Sequence, residues 1–351
     1  MSPARPFLSS LQPALPCFFK GLLAVRLMAS NANPFETAWY MRASNATGSV
    51  ADPGAAALPT PPPPLRPFHR ALATGTASVT ETSEGRVSTL LFSNQSTSVL
   101  FAMAGELFVG GRQDRVLNRS LVVKPGETVW APVSCVEASR WRTGRQGPSF
   151  AAAGVTACTS VRRSVQESRI HHLMRTGTES SNQTRIWNDI SQTLVQTCTA
   201  QLNETKTLAG AMYRKKRKLN TYAKRFRPIE KQLGWVLFSP SSSGLRLIGG
   251  DAFGCQKLLS QYSRRIFRGA AMEVTPCAPP QYAQALVAME KASALLNSLL
   301  SSDPLETPDP GAPLQPSPAT RSRRERHFQA PWGVATILSY AGRPVHLTLS
   351  P

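Results

Sequence analysis

The chain has 351 residues, 41% hydrophobic and 17% charged, which is globular composition with room for one large domain or two modest ones. Its 40 Lys and Arg against 20 Asp and Glu give a net charge of +20. That balance either attracts polyanions such as nucleic acid, anionic membrane surfaces or phosphorylated metabolites, or is the incidental mark of a basic proteome. The six cysteines, at 17, 135, 158, 198, 255 and 277, form no Cys-x-x-Cys and no Cys/His cluster, so a disulfide scaffold and a zinc ribbon are both excluded. Reduced thiols point to a cytoplasmic protein, and no apolar run approaches the ~18 residues of a transmembrane helix.

In chain order, residues 1–67 read as a disordered or targeting-like extension. The first 35 residues carry Arg5, Lys20 and Arg26 and no acid, and Lys20 and Arg26 break the apolar run Phe18–Leu27. The stretch ends in four consecutive prolines, which impose extended geometry and make a linker. Residues 68–351 read as one α+β domain. TASVTET, RVSTLLFSN, SVLFAM, SLVV and TVWAPV are short β-prone runs, and Pro125-Gly126 suits a type II turn in a hairpin over 121–134. Residues 143–184 show weak periodicity and read as partly irregular. Helices are expected over 185–202, over 205–227 up to the Pro228 stop, over 258–267 and over 282–300. Strands are expected at 235–238 and 245–248, with a Gly249-Gly250-Asp251 turn between the latter and a helix. Residues 301–326 read as a disordered insertion, Pro-rich and then basic. A Gly turn within GVATILSYAGRPVHLTL makes a closing hairpin. An antiparallel β-rich N-terminal part, central helices and a C-terminal hairpin give an α+β architecture.

The run GELFVGGRQDRVLNRSLVVKPGETVWAPVSCVEASRW, Gly105 to Trp141, stands out because it sets polar and reactive residues among β-prone apolar ones. Gly110 and Gly111 tolerate positive φ, and Arg112 and Arg115 supply guanidinium groups, a combination that lets a backbone approach an anion and clamp it. Gln113 and Asn118 would meet neutral polar groups. The plain alternative is a β-bulge with solvated arginines. Trp141 either stacks on a base or fills the core.

Those residues carry a resemblance. GELFVGGRQDRVLN followed by PVSCVEASRW, then Gln183 and Trp187 opening a helix, GWVLF leading to IGGDAFG, and YAGRPVHLTL are together similar to the ADP-ribosylglycohydrolase and rhodanese-phosphatase-superfamily-associated protein domain family, over roughly residues 65–350. The resemblance implies a domain identity and a context of ADP-ribose and phosphate handling, without a mechanism. The family commonly has Asn where this chain has Asp114.

Glu106, Glu137 and Asp251 are the acids inside the matched blocks. They either form an acid/base couple, hold a hard cation, or pair with Arg112, Arg115 or Arg140. Asp251 also suits a turn or a helix N-cap. Cys135 is a candidate nucleophile if cations lower its pKa, and otherwise a buried structural thiol. His171-His172 has no third ligand at metal spacing, so no metal site is expected, and no cofactor follows from the sequence. Arg214, Lys215, Lys216, Arg217 and Lys218 begin a basic helix face, either solvated or in contact with a nucleic-acid backbone. The expected function is binding or processing of a nucleotide or ADP-ribose-type phosphorylated ligand by the 105–141 block, with Glu106, Cys135 and Glu137 available for chemistry. The alternatives are a non-catalytic nucleic-acid-binding module and a scaffold for an ADP-ribose-processing enzyme.

Overall fold

The computed structural model describes residues 4–30, 64–82, 86–138, 140, 147–200, 206–277, 282–305 and 323–351. The chain opens with helix α1 (Ala4–Ser9) and a hairpin of β1 (Leu11–Phe19) and β2 (Leu22–Ala29). Phe19 pairs with Leu22, so Lys20 and Gly21 alone make the turn, both at positive φ (43° and 84°). Two-residue turns of this kind match the twist of the strands they join. Leu22 and Ala24 point into one core and Leu23, Val25 and Leu27 into another, so β2 is covered on both faces. Within the expected extension over 1–67, residues 4–29 are instead built into the fold. The two cations that broke the apolar run have local uses. Lys20 is a turn residue, while Arg26 bonds the Leu15 carbonyl (3.1 Å) and lies over the Trp235 ring. The four-proline run lies outside the described residues.

The expected β-rich part follows: β3 (Arg66–Pro67), α2 (Phe68–Ala73), β4 (Ala77–Glu81), β5 (Thr89–Asn94), β6 (Leu100–Ala102), β7 (Glu106–Gly110), β8 (Arg115–Leu117), β9 (Leu121–Val123), β10 (Thr128–Cys135) and β11 (Phe150–Thr156). It forms a six-stranded sheet, β11-β7-β8-β10-β5-β4, and a small sheet, β3-β6-β9. The turn at Pro125-Gly126 is present, with Glu127 N bonded to Lys124 O (3.1 Å), but the hairpin over 121–134 is not. Past the turn the strands part: β9 pairs with β6, and β10 pairs with β5 and β8.

Residues 143–184, expected to be irregular, contain β11 and the 18-residue helix α3 (Thr159–Thr176). The periodicity was weak because the buried face of α3 includes Ser164, Gln166 and Arg169 among its apolar residues. Asn182 caps α4 (Gln183–Gln196), its side chain accepting from Arg185 N at 3.0 Å. The single helix expected over 205–227 is two, α5 (Leu208–Arg214) and α6 (Lys216–Arg225), with an elbow at Lys215. Then come β12 (Gln232–Ser241), β13 (Gly244–Phe253), α7 (Gln256–Ala270), α8 (Tyr282–Ser301), β14 (Arg323–Ala330), β15 (Gly333–Tyr340) and β16 (Arg343–Ser350). Arg323–Arg326, expected in a disordered tract, begin β14, whereas 306–322 lie outside the described residues.

A seven-stranded sheet, β1-β2-β12-β13-β16-β15-β14, joins the N-terminal hairpin to the C-terminal strands. One face packs against the central helices, the other against α1 and α8, and a separate core fills the six-stranded sheet. The α+β class is therefore observed, with the closing β15–β16 hairpin in place. No helix among the described residues is long and apolar enough to cross a membrane.

Candidate functional site

The Gly105–Trp141 block folds into β7, β8, β9 and β10, with the glycines at the β7–β8 turn. Gly110 and Gly111 do take positive φ (138° and 49°). Packing explains them: a Cβ would stand 2.3 Å from Ser149 O at Gly110 and 2.4 Å from the Phe150 ring at Gly111. The turn's N–H groups already have acceptors, Asp114 Oδ1 for Gly110, Ser149 O for Gly111 and Glu81 Oε1 for Arg112. Its Gly110 and Gly111 carbonyls accept from Arg140 (3.1 and 2.7 Å). These three N–H groups and two carbonyls of the expected anion-binding turn are thus engaged internally.

The acids have matching roles. Glu137 accepts from Arg140 Nε and Nη2 (2.9 and 2.7 Å) and from Asp114 N (3.0 Å). Asp114, the departure from the family pattern, accepts from Thr207 Oγ1 (2.6 Å) and Arg140 (3.3 Å). Burial, and the Glu137 carboxylate beside it, hold the Asp114 carboxyl above the ordinary aspartate value. Arg115 is buried and donates to the Gln113 carbonyl (2.8 Å), while exposed Arg112 lies 3.6 Å from Glu81. Asn118 accepts from Ser134 Oγ (2.8 Å), and its carbonyl accepts from Gln166. Gln113 Oε1 and Arg115 Nε are buried without a hydrogen-bond partner among the described residues. Trp141 lies outside the described residues.

Cys135 pairs with Arg115 across β8 and β10, and the Gln183 amide bonds both its backbone N–H (2.9 Å) and its carbonyl (2.8 Å). Burial pushes its thiol up despite the nearby Arg115, the opposite of what a nucleophile needs. Glu106 is completely buried, bonded by Met103 N (3.0 Å) with His69 Nδ1 and Arg265 at 3.4 and 3.3 Å. Burial alone would raise its pKa, but His69 and Arg265 keep the carboxylate below the ordinary glutamate value. The sequence carried no signal for His69 or Arg265, which reach Glu106 from distant elements.

Asp251 is not in a turn. It sits within β13, paired with Thr348 and Trp235 on either side. Arg162 on α3 clamps its carboxylate through both terminal nitrogens (3.0 and 2.5 Å). His346 Nε2 lies 3.2 Å from Asp251, and His346 Nδ1 lies 2.8 Å from Ser120 Oγ, which accepts from Ala104 N. Burial depresses the imidazole despite Asp251, so it is neutral, and this chain of polar groups ties the small sheet to the large one. Among the described residues, no group of three His, Cys, Asp or Glu side chains is placed to hold a metal ion.

Open, cationic space lies elsewhere, around the α5–α6 elbow. A cleft of about 620 Å³ is lined by Lys215, Lys218 and Arg246, with Glu273 and Cys198 at its wall. The Glu273 carboxylate is taken up by the start of α3: Thr159 and Ser160 hydroxyls, Ser160 N (3.1 Å) and, from α4, Thr193 Oγ1 (3.4 Å). Burial, and after it the neighbouring Lys215, lower the Lys218 pKa. The basic run was legible in the sequence; Arg246 and Glu273, brought in by β13 and the segment after α7, were not.

Fold and site together define an α+β domain whose polar central block braces its sheets and whose accessible cationic cleft is built on helices. The profile of the ARG and Rhodanese-Phosphatase-superfamily-associated Protein domain matches residues 55–349, and the chain belongs to that family. No curated protein and no solved structure matches the chain.

Proposed function

We propose that this protein binds a phosphorylated small molecule of the nucleotide or ADP-ribose type in the cleft beside the α5–α6 elbow. The observation that carries this is the convergence of Lys215, Lys218 and Arg246 on one cleft whose lining acid, Glu273, is engaged by hydroxyls and a backbone N–H. Its size, about 620 Å³, lies within the range of small-molecule sites. The ADP-ribose part rests on the family's name, which associates it with ARG and rhodanese-phosphatase proteins. The function proposed is binding, since Glu106, Cys135 and Glu137 are held inside the core by internal partners.

Calorimetric titration of the full chain with ADP-ribose tests this, alongside a Lys215→Gln/Lys218→Gln variant with an unchanged circular dichroism spectrum. Saturable binding that the variant loses is expected, with shallow salt dependence because few phosphates are contacted. Absence of heat, or binding that survives in the variant, would sink the proposal. A second reading, contact with a nucleic-acid backbone, is favoured by the exposure of Arg214, Lys216, Arg217, Lys224 and Arg225 on the same two helices, with exposed Arg227 just beyond α6. Steep loss of affinity with rising salt is its signature.

A further inference from the structure

We infer that the outer face of the α5–α6 elbow is a platform for single-stranded nucleic acid, on which Tyr213 stacks a base while the flanking cations hold phosphates. This rests on the second reading above and says which form of nucleic acid the face takes. The two helices bury Leu208, Ala211 and Met212 on α5 and Leu219, Tyr222 and Ala223 on α6, which anchors the elbow to the core. Tyr213 is turned the other way and is 74% exposed, a large aromatic ring left in water. Single exposed hydrophobic residues are ordinary, and what sets Tyr213 apart is the charged field around its ring.

A groove of about 710 Å³ runs along this face, lined by Gly210, Tyr213 and the consecutive Arg214, Lys215, Lys216, Arg217 and Lys218, with no acid among its lining residues. Lys216 Nζ lies over one face of the Tyr213 ring, 5.6 Å from its centroid, which leaves the opposite face for a base. One turn earlier on α5 the neighbour of Tyr213 is Gly210, and side chains on a helix lean toward its N-terminus. Gly210 lines the same groove and adds no side chain there, so nothing from that position blocks a planar partner on the ring.

An exposed π-face bordered by guanidinium and ammonium groups matches the alternation of base and phosphate along an unpaired strand. In a duplex the bases are stacked on one another, so a face with one exposed ring would meet only phosphates there. Anionic lipid would use the same cations but would not need the ring.

The test is fluorescence anisotropy of the full chain with a labelled single strand of about 12 nucleotides and a duplex of the same length. It compares the wild type with Tyr213→Ala, Tyr213→Trp and Lys216→Gln/Arg217→Gln. All these positions are exposed, so the variants are expected to fold. The single strand should bind more tightly than the duplex, Tyr213→Ala should weaken it by about tenfold or more, and Tyr213→Trp should restore it. Duplex affinity should be indifferent to Tyr213 and sensitive to the double charge variant. If Tyr213→Ala binds the single strand as well as wild type while the charge variant does not, the stacking platform is overturned and the charge reading stands. If neither nucleic acid binds, both fall.

Discussion

Replacing His327 with Gln should flatten the acid side of the stability curve. His327 lies in β14, 1% exposed, with Nδ1 3.0 Å from Thr336 Oγ1 and Nε2 3.7 Å from Glu325. Glu325 is itself engaged by Arg169, which also bonds Glu179, while Arg119 pairs with Glu179. Burial lowers the imidazole pKa from 6.5 to about 4, a shift that Glu325 opposes and Arg169 reinforces. The unfolded chain therefore takes up a proton near 6.5 that the folded chain refuses until about 4, so this group's contribution is fully present above that window and is lost as pH falls through it. At 1.36 kcal/mol per unit, the shift amounts to about 3 kcal/mol in all, of which about 2 kcal/mol disappears between pH 7 and pH 5. Urea unfolding of wild type and His327→Gln near those two pH values measures it. His346, depressed in the same direction, is present in both proteins and cancels in the comparison. The variant should lose about 2 kcal/mol less than wild type over the interval. Equal losses in the two proteins would refute the claim that a buried neutral His327 governs this part of the curve.

Gln183→Ala removes the amide that bonds both the N–H and the carbonyl of Cys135, and should cost about 1–3 kcal/mol in urea unfolding. Gly21→Ala combines a φ of +84° with a Cβ placed 2.0 Å from Thr275 O. It should destabilise by about 1 kcal/mol or more and lower the thermal midpoint, and an unchanged midpoint would mean the N-terminal hairpin is not docked as described. A thiol reagent on the native protein should label exposed Cys198 and Cys277 quickly, and buried Cys135 and Cys158 only after denaturant is added. Burial raises the latter two thiols, so fast native labelling of Cys135 would restore it as a candidate nucleophile.

What the sequence by itself determined was whatever local periodicity and local backbone chemistry govern. The β-prone runs of 68–135, the Pro125-Gly126 turn, the amphipathic α4 and α7 and the closing β15–β16 hairpin follow from side-chain alternation and turn residues, and so does the α+β class. The positive φ of Gly110 and Gly111 was legible too, but not its purpose, since the same geometry serves an anion cradle or close packing against Ser149 and Phe150. Tertiary structure alone decided which strands pair and which charges meet. The N-terminal run became a hairpin only because β12 supplies an edge for β2, and α3 hid its pattern because its buried face carries Arg169 and Gln166, satisfied by Glu325 and by the Asn118 carbonyl. Glu106 with His69 and Arg265, Asp251 with Arg162 and His346, and Glu137 with Arg140 took their meaning from partners, most of them far along the chain. A polar residue in a β-run looks like a site when its partner is out of view. Burial makes that partner obligatory, because a charge withdrawn from water must be matched inside the fold.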